Sequence, residues 1–346
     1  MGSDKLIFWF EEVGKEHNDT VGKKCANLGV MCQMGLPVPP GFAISIDLYR
    51  RFIQETEAIE EISRYVMSLG ELKGQGIKVF ESVSQTIQGI IEGKEMPSGV
   101  KGWISSYYNG LCKKVGIPDV AVSVRSAGTE SRPGMFETYL NVQGTDEVLD
   151  KVKKVWASAY TTRAIAFRVN KNLPVIGDEL GVAVPKMVNA CSAGISFTVD
   201  PVTGDASKVV IESNWGLGEG VVSGVENVDR FVVNKESLEI TERMVGKKTK
   251  QVLNKGKGVE WEEIPLDKQS FPSLSDGEIK EIAKLAMTLE DRLSCPQDIE
   301  WAIDLDFSLP QNIFLLQTRP AKVAVKKPVS TTDHIIDLMA RKFYEP

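Results

Sequence analysis

The chain has 346 residues, of which 42% are hydrophobic, and its formal net charge is −6. A chain of this length can bury a larger core than one domain usually holds, so two domains or two lobes are expected. Acidic and basic residues are interleaved without a long basic run, and no apolar stretch reaches the length of a membrane span, so we expect neither a nucleic-acid-binding protein nor a membrane protein.

The first part of the sequence predicts one strand followed by helices. The segment "KLIFWF" predicts a strand, and "CANLGVMCQMGL" predicts a helix that ends at Gly35, before the prolines of "PVPPG". From Ile46 to about Val100 the apolar residues recur at helical spacing, and "GVKGWISSYYNGLCKKVG" predicts one more amphipathic helix. The valine-rich "VAVSVRS" is the first clear strand after this helical block.

The middle of the chain predicts further strands around one helix. The segment "YLNVQG" predicts a strand, and "TDEVLDKVKKVWASAYTTRAIAFRVNK" predicts a single long helix capped by Thr145. Three β-rich segments follow, which are "GVAVPKMVNACSAGISFTVD", "KVVIESNWGLGEGVV" and "DRFVVNKESLEITERMV". The polar stretch from Gly246 to Ser270 predicts an exposed hairpin or loop.

The last part predicts a helix, two strands and a tail. The segment "SDGEIKEIAKLAMTLEDRL" predicts a helix with Ser275 as N-cap, and "QDIEWAIDL" and "NIFLLQTRP" predict strands. From Ala321 the sequence indicates a charged linker and a short amphipathic end, which would dock on a partner or on the chain itself. Because most strands follow residue 118 and most early elements are helices, the order predicts an α+β fold with two lobes instead of a regular βαβ alternation.

The stretch "VRSAGTESRPGMFETYL", residues 124–140, has the composition of an anion-binding loop. Its small residues let backbone amides approach an anion closely, and Arg125 and Arg132 can contact phosphoryl oxygens. It lacks the G-x-x-x-x-G-K-[ST] pattern of a P-loop. A surface loop without a ligand has a similar composition, so this alternative stays open.

Two later strands carry alternating polar residues of complementary chemistry. Side chains at positions i and i+2 of a strand share a face, which places Asp298 with Glu300 and Gln317 with Arg319. Two carboxylates, an amide and a guanidinium on one surface are the groups that hold Mg²⁺ against the phosphates of a nucleotide. The polar face of an ordinary amphipathic sheet would alternate in the same way, and this reading also stays open.

The segment "SNWGLGEGVVSG" contains too many glycines for a packed strand. With Glu219 among Gly216, Gly218, Gly220 and Gly224, it indicates either a flexible loop near a ligand or a plain turn between strands. The spacing lacks the third glycine of a dinucleotide-binding fingerprint.

The cysteines and histidines exclude several kinds of site. The five cysteines are scattered and never in C-x-x-C spacing, so we expect neither a disulfide framework nor a zinc cluster, and a reducing cytoplasm fits best. The two histidines, His17 and His334, lie at opposite ends of the chain, so a histidine-based relay is not expected.

Together these segments resemble the nucleotide-binding domain of phosphoenolpyruvate synthase and pyruvate phosphate dikinase, an ATP-grasp fold that rifampin phosphotransferase also uses. The segments that carry the resemblance, over about residues 8 to 321, are "VGKKCANLG", "PVPPGFAIS", "SVRSAGTESRPGMFETYLNV", "VWASAYTTRAIAFR", "GISFTVDPVTG", "NWGLGEGVV" and "DIEWAIDLDFSLPQNIFLLQTRP". The resemblance implies an N-terminal lobe over 1–185, a C-terminal lobe over 186–321 and a linker with a tail helix over 322–346. ATP would lie between the sheets of the two lobes, with Mg²⁺ as its metal.

The resemblance also implies roles for single residues. The residues that would contact the ATP phosphates and act in catalysis are Lys24, Arg125 and Arg319. The residues of the phosphate-covering loop would be Gly134 and Thr138. The hinge strand that meets adenine would be Lys186, Met187 and Val188. The residues facing the ribose, phosphates and Mg²⁺ would be Asp298, Glu300 and Gln317, of which Glu300 and Gln317 would be metal ligands.

The sequence departs from the family at several points. Pro185 stands before the hinge where the family often has glutamine, which removes an amide side chain and a backbone N–H. The usual "RSSA" is "RSAG" here. Arg132 has no role in the family and is expected to face solvent or a partner's histidine domain.

The family implies a partner. Its nucleotide domain transfers a phosphoryl or pyrophosphoryl group from ATP to a histidine on a swivelling domain, and a further domain passes it to the acceptor. Neither follows residue 346, and His334 lacks the glycine-rich surroundings of a phosphohistidine loop, so an excised domain or a separate subunit is expected.

The smaller subunit of phenylphosphate synthase is the first expectation for this dikinase-type enzyme. It would transfer the β-phosphoryl group to the partner's histidine and then to phenol, releasing AMP and phosphate. The alternatives are the nucleotide-binding domain of a phosphoenolpyruvate synthase or pyruvate phosphate dikinase with pyruvate as acceptor, a rifampin-type phosphotransferase, and a non-catalytic nucleotide-binding regulatory module.

Overall fold

The computed structural model describes residues 5–130, 132, 134–222 and 227–322, and within them two antiparallel sheets organise the chain. The strands are β1 Ile7–Trp9, β2 Gly41–Ile44, β3 Val122–Ala127, β4 Thr138–Val142, β5 Gly181–Pro185, β6 Ala190–Phe197, β7 Lys208–Trp215, β8 Asp229–Asn234, β9 Ile240–Met244, β10 Lys250–Asn254, β11 Val259–Glu263, β12 Gln297–Asp304 and β13 Ile313–Pro320. The first sheet has the order β1-β2-β5-β3-β4 and the second β13-β12-β6-β7-β8-β9, while β10 and β11 form a separate hairpin.

Helices connect and cover these sheets. They are α1 Asn18–Val21, α2 Lys23–Gln33, α3 Ile46–Glu55, α4 Ala58–Ser68, α5 Ile77–Gly93, α6 Ser98–Val115, α7 Thr145–Ala157, α8 Thr162–Asn170, α9 Glu219–Val222 and α10 Asp276–Leu293. The predicted mixture of helix and sheet is therefore confirmed. Antiparallel pairing in both sheets excludes a regular βαβ arrangement among the described residues.

The helical block between β2 and β3 packs on the first sheet. Its first helix, α3, begins where the Ser45 hydroxyl accepts a hydrogen bond from the Leu48 amide at 3.2 Å. One face of α3 is buried, and the Phe52 ring lies 5.0 Å from the ring of Trp156 on α7. Val182 of β5 belongs to the same buried cluster, so the helical periodicity in the sequence reflects burial against this sheet.

A second core lies between the second sheet and the helices α2 and α10. Leu28 of α2, Ile282 of α10 and Trp301 of β12 are buried in one cluster. As predicted, α10 starts with Ser275, which forms a capping box with Glu278. The early helix α2 thus packs against strands that follow it by about 270 residues.

The single long helix predicted from Thr145 onward is wrong. The chain forms α7, one 3-10 turn over Ser158–Tyr160, and then α8. The Ser158 hydroxyl accepts a hydrogen bond from the Glu137 amide at 3.1 Å, and Thr161 caps α8 through Ala164 at 3.2 Å. Hydroxyl side chains that bond to local backbone compete with continued helix, which explains the break. The predicted cap at Thr145 is also wrong, because the N-cap is Gly144.

The polar segment 246–270 contains the β10–β11 hairpin, whose strands are largely exposed. Lys248 departs from this pattern because its side chain is fully buried and donates to Asp229 at 2.5 Å. The predicted tail and His334 lie outside the described residues, as does Gly224.

The predicted lobes over 1–185 and 186–321 stay predictions. All strands of the first sheet precede residue 186, and all strands of the second sheet follow it. The helix α2 belongs to the first segment, yet its Asn27 amide donates to the Thr318 carbonyl of β13 at 2.8 Å. Contacts of this kind join the two segments.

Candidate functional site

The paired strands β12 and β13 bring four predicted polar side chains to one place. Asp298 lies directly opposite Arg319, and Glu300 lies opposite Gln317. Arg319 Nε donates to Asp298 Oδ2 at 2.7 Å, and Gln317 Nε2 donates to Glu300 Oε1 at 2.8 Å. The alternation seen in the sequence thus becomes a compact cluster of two acids, an amide and a guanidinium.

Arg125 reaches this cluster from the other sheet. Its Nη2 lies 3.3 Å from Glu300 Oε2, and each side chain is 17% exposed. Arg125 Nε and Gln317 Oε1 are buried and have no hydrogen-bond partner within the described part of the chain. Buried polar atoms are normally paired, so two unpaired atoms on residues that both contact Glu300 indicate a place for a polar ligand.

Lys24 enters the cluster from the first turn of α2. Glycine is required before this turn, because a Cβ at Gly22 would collide with the Ala127 carbonyl at the end of β3. The pKa of Lys24 is lowered from 10.5 to about 8, chiefly by burial and then by the nearby positive charge of Arg125, while Glu300 opposes the shift. The side chain is still partly exposed, as expected on the wall of a cleft.

Burial also shifts the pKa of carboxyl groups in and beside the cluster. Burial raises the pKa of Asp298 even though Arg319 acts in the opposite direction. Although Glu219 in the first turn of α9 is exposed, partial burial of its carboxyl group by the surrounding protein raises its pKa; Glu300 adds to the rise and Arg125 opposes it. The glycine-rich segment around Glu219 therefore borders the cluster, and Glu219 is a neighbour that the predicted set of site residues does not include.

The loop after β3 is held against the helices that follow it. Arg132 Nη1 contacts Asp178 Oδ1 at 2.9 Å, and its guanidinium lies 5.0 Å from the Phe167 ring centre. Asp178 also binds Arg168 at 2.5 Å. The expectation that Arg132 faces solvent is wrong, because its side chain is only 18% exposed and pairs with Asp178 within the chain; contact with a partner's histidine domain stays a prediction.

The predicted residues Gly134 and Thr138 are both exposed on this loop and at the start of β4. Gly134 has φ of 66°, a backbone conformation that favours glycine. Thr138 lies directly opposite Arg125 in the β3–β4 pair. Between them, the Met135 carbonyl accepts a hydrogen bond from Thr161 Oγ1 at 3.0 Å. Thr138 therefore lies beside Arg125, and the phosphate-covering role of both residues stays a prediction.

The predicted hinge lies between the two sheets, and two of its three backbone amides already donate hydrogen bonds within the chain. The Lys186 amide donates to Pro40 at 2.8 Å, and the Met187 amide donates to Ala121 at 2.8 Å. Val188 is 5% exposed and packs in a small apolar cluster of the second sheet. Lys186 Nζ lies 3.8 Å from the buried carboxylate of Asp304. The adenine role of these three residues stays a prediction.

Metal binding here would depend on few protein ligands. No group of three or more His, Cys, Asp or Glu residues in the described ranges could hold a metal ion. Mg²⁺ commonly uses one or two carboxylates together with substrate phosphates. The Glu300 carboxylate and the unpaired Gln317 oxygen fit that donor set.

Among the described residues, no helix is both long enough and apolar enough to cross a membrane.

Comparison with known proteins gives a family match and close relatives. The family model described as "Pyruvate phosphate dikinase, AMP/ATP-binding domain" matches residues 18–338. A phosphoenolpyruvate synthase from Aeropyrum pernix is 39% identical over 93% of this chain. Probable phosphoenolpyruvate synthases from Methanocaldococcus jannaschii and Archaeoglobus fulgidus are each 38% identical, over 92% and 95% of this chain.

This chain spans only part of those relatives, namely 43%, 27% and 43% of their lengths in the same order. Among solved structures, that of PH1788 from Pyrococcus horikoshii Ot3 covers 62% of this chain and 81% of its own, with 13% identity and a TM-score of 0.33. A score this low supports no assignment of fold, so the family model and the sequence relatives carry the comparison.

Proposed function

Because the chain belongs to the family of the pyruvate phosphate dikinase AMP/ATP-binding domain, we propose that it is the ATP-binding part of a phosphoenolpyruvate synthase-type phosphotransferase. The observation that carries this proposal is the meeting of Arg125 with the β12–β13 cluster, where Arg125 Nε and Gln317 Oε1 are buried and unpaired. The triphosphate of ATP would supply an acceptor for Arg125 Nε, and the Mg²⁺ that accompanies it would be held by the Gln317 oxygen. We also assign the chain to the ATP-grasp fold, with the nucleotide between the two sheets.

The charges of the cluster suit a polyphosphate. Lys24, Arg125 and Arg319 supply positive charge, and charge-assisted hydrogen bonds to phosphate oxygens are among the strongest that proteins form. Asp298 holds Arg319 through Nε, which leaves the Nη donors for phosphate oxygens within the described cluster. At neutral pH Lys24 is mostly charged despite its lowered pKa, and phosphate binding would raise that pKa again.

Glu300 and Gln317 would hold Mg²⁺, whose chemistry is to neutralise phosphate charge that develops during transfer. The other residues bind and orient. Arg125 and Thr138 face each other across β3 and β4, so both act on the same part of the ligand. Transfer between well-positioned groups gains most of its rate from orientation and electrostatic stabilisation, which these side chains supply.

The phosphoryl acceptor would come from outside the described residues. His17 is the one histidine within them, and its Nδ1 accepts a hydrogen bond from the Gly14 amide at 3.0 Å. We therefore propose that a histidine on another domain or subunit takes the β-phosphoryl group, with water taking the γ-phosphoryl group, so that AMP and phosphate leave. This chain matches 43% and 27% of the lengths of two relatives, which supports the placement of the histidine on another domain or subunit.

The final acceptor is proposed to be pyruvate. The relatives are named phosphoenolpyruvate synthase, which favours this acceptor over phenol, the first expectation from the sequence. Cytoplasmic location and the phosphohistidine partner remain parts of the proposal.

Binding and transfer test the proposal separately. Calorimetric titration of the chain with Mg-ATP should give saturable binding that Glu300→Gln weakens by about tenfold or more, since a charged metal ligand becomes neutral. Glu262→Gln on the exposed β11 hairpin strand is the matched control and should bind as the wild type does. When a phosphohistidine-bearing domain of a phosphoenolpyruvate synthase is added, ³¹P NMR should show AMP and phosphate. Absence of Mg-ATP binding by the wild-type chain would refute the proposal.

A further inference from the structure

The strand pair that carries Arg125 and Thr138 contains a β-bulge. Val122 pairs with Val142, but Val124 pairs with Tyr139, so two residues of β4 lie opposite one residue of β3. Without the extra residue, Arg125 would face Tyr139, and the side chains of Thr138 and Tyr139, which precede the bulge in β4, would exchange faces of the sheet. The bulge therefore decides that Thr138 lies opposite Arg125.

Asn141 sits in this bulge with a backbone conformation that few residues accept. Its φ is 54°, in the left-handed region, where asparagine is better tolerated than most residues with a side chain. The side chain is buried, with 4% exposed. Gln143 Nε2 donates to Asn141 Oδ1 at 3.2 Å, which fixes the orientation of the amide group.

The same amide group binds the tip of the β10–β11 hairpin. Asn141 Nδ2 donates to the carbonyl of Gly256 at 3.1 Å and to that of Gly258 at 2.8 Å. These carbonyls belong to the turn between β10 and β11, more than 100 residues later in the chain. One side chain thus satisfies two backbone acceptors of a separate element.

The base of the hairpin is attached to the second sheet. The Leu217 amide donates to the Val252 carbonyl at 2.8 Å, and Asn214 Nδ2 donates to the Lys250 carbonyl at 3.0 Å. Val252 is 2% exposed and packs with Leu217. The hairpin therefore runs from the segment that precedes Glu219 to the bulge of β4, and it connects the two walls of the candidate site.

We propose that Asn141 is a positioning residue, which couples the β10–β11 hairpin to the β3–β4 register and so holds Thr138 opposite Arg125. The proposal rests on the proposed ATP site, because it concerns the side chains that would face the phosphates. Two properties of asparagine serve it together: tolerance of the left-handed backbone keeps the bulge, and the two amide hydrogens hold the hairpin.

Two substitutions separate these properties from general loss of fold. Asn141→Gly permits the left-handed backbone and removes the amide, while Asn141→Asp keeps the shape and places a carboxylate against two carbonyl oxygens. Lys255→Ala is the matched control, since it removes exposed ion pairs with Glu260 and Glu262 on the same hairpin. Hydrogen–deuterium exchange of the nucleotide-free chain and calorimetric titration with Mg-ATP are measured on all four proteins.

Both Asn141 variants should exchange faster at residues 250–263 and at 138–142, and should bind Mg-ATP about tenfold more weakly, the effect expected when a pair of hydrogen bonds is lost. Lys255→Ala should match the wild type in both measurements. Faster exchange confined to the hairpin, or unchanged Mg-ATP affinity in both variants, would overturn the coupling. If the wild-type chain binds no Mg-ATP, the proposed function fails, and exchange at 138–142 alone decides the coupling.

Discussion

Replacement of Lys24 by methionine should make the nucleotide-free chain more stable at neutral pH while it weakens nucleotide binding. The cluster holds Lys24 in a half-buried place beside the positive charge of Arg125, and its pKa falls from 10.5 to about 8. At about 1.4 kcal/mol per pKa unit, this shift corresponds to roughly 3 kcal/mol of lost preference for the charged form. Because partial exposure and the attraction of Glu300 reduce the effect, we expect a gain of about 1–3 kcal/mol in the free energy of unfolding.

The pH dependence gives the sign of the effect. Between pH values near 8 and 10.5 the unfolded chain keeps a proton on Lys24 that the folded chain has lost. The unfolded state therefore binds more protons in this window, and the contribution of Lys24 to stability rises with pH. The advantage of Lys24→Met over the wild type should be largest below about pH 8 and should fade toward pH 10.5.

Urea unfolding followed by tryptophan fluorescence, at neutral pH and near pH 10, measures this difference. Lys23→Met removes the same charge one residue earlier in α2 and should show no comparable gain. Calorimetric titration should show that Lys24→Met binds Mg-ATP at least about tenfold more weakly, because a phosphate contact is lost. A Lys24→Met chain that is less stable than the wild type at neutral pH, or whose gain does not shrink as the pH rises, would contradict the reasoning.

Three further pairs of substitutions test other contacts. Arg319→Ala should abolish phosphoryl transfer in ³¹P NMR assays, and Arg319→Lys should show intermediate transfer, because lysine keeps the charge and loses the planar donors. Full transfer by Arg319→Ala would exclude a role for Arg319 in transfer. Asp178→Ala leaves the guanidiniums of Arg132 and Arg168 without their shared carboxylate, and we expect it to lower the free energy of unfolding in urea by about 3 kcal/mol. Arg132→Ala should lower it by about 1 kcal/mol, and equal losses would contradict the shared-carboxylate account. Asp229→Ala leaves the buried Lys248 ammonium without its carboxylate and should lower the free energy of unfolding in urea by about 3–5 kcal/mol. Lys248→Met should cost less, because the Asp229 carboxylate keeps its hydrogen bonds from backbone amides, and the reverse order would refute this account.

The polar faces of β12 and β13 could be predicted from sequence because strand alternation is local. Asp298 and Glu300 share a face through the pleat alone, and so do Gln317 and Arg319. That these two pairs lie opposite each other in register depends on the long-range pairing of the strands. The break between α7 and α8 could not be predicted from apolar spacing, because it depends on Ser158 and Thr161 bonding to a loop more than 20 residues earlier.

The sequence by itself determined the helical block, the strand segments, the family resemblance and the residue types able to hold a polyphosphate, since periodicity and composition express local geometry and chemistry. Only the tertiary structure decided that Arg125 meets Glu300 from another sheet, that Lys24 lies among buried charges, and that Arg132 is engaged within the chain. The charges around a residue and its hydrogen-bond partners come from atoms far apart in sequence, and those atoms come together only when the chain has folded. The bulge at Asn141 is the same case, because its hydrogen-bond partners lie in a hairpin that no local pattern connects to it.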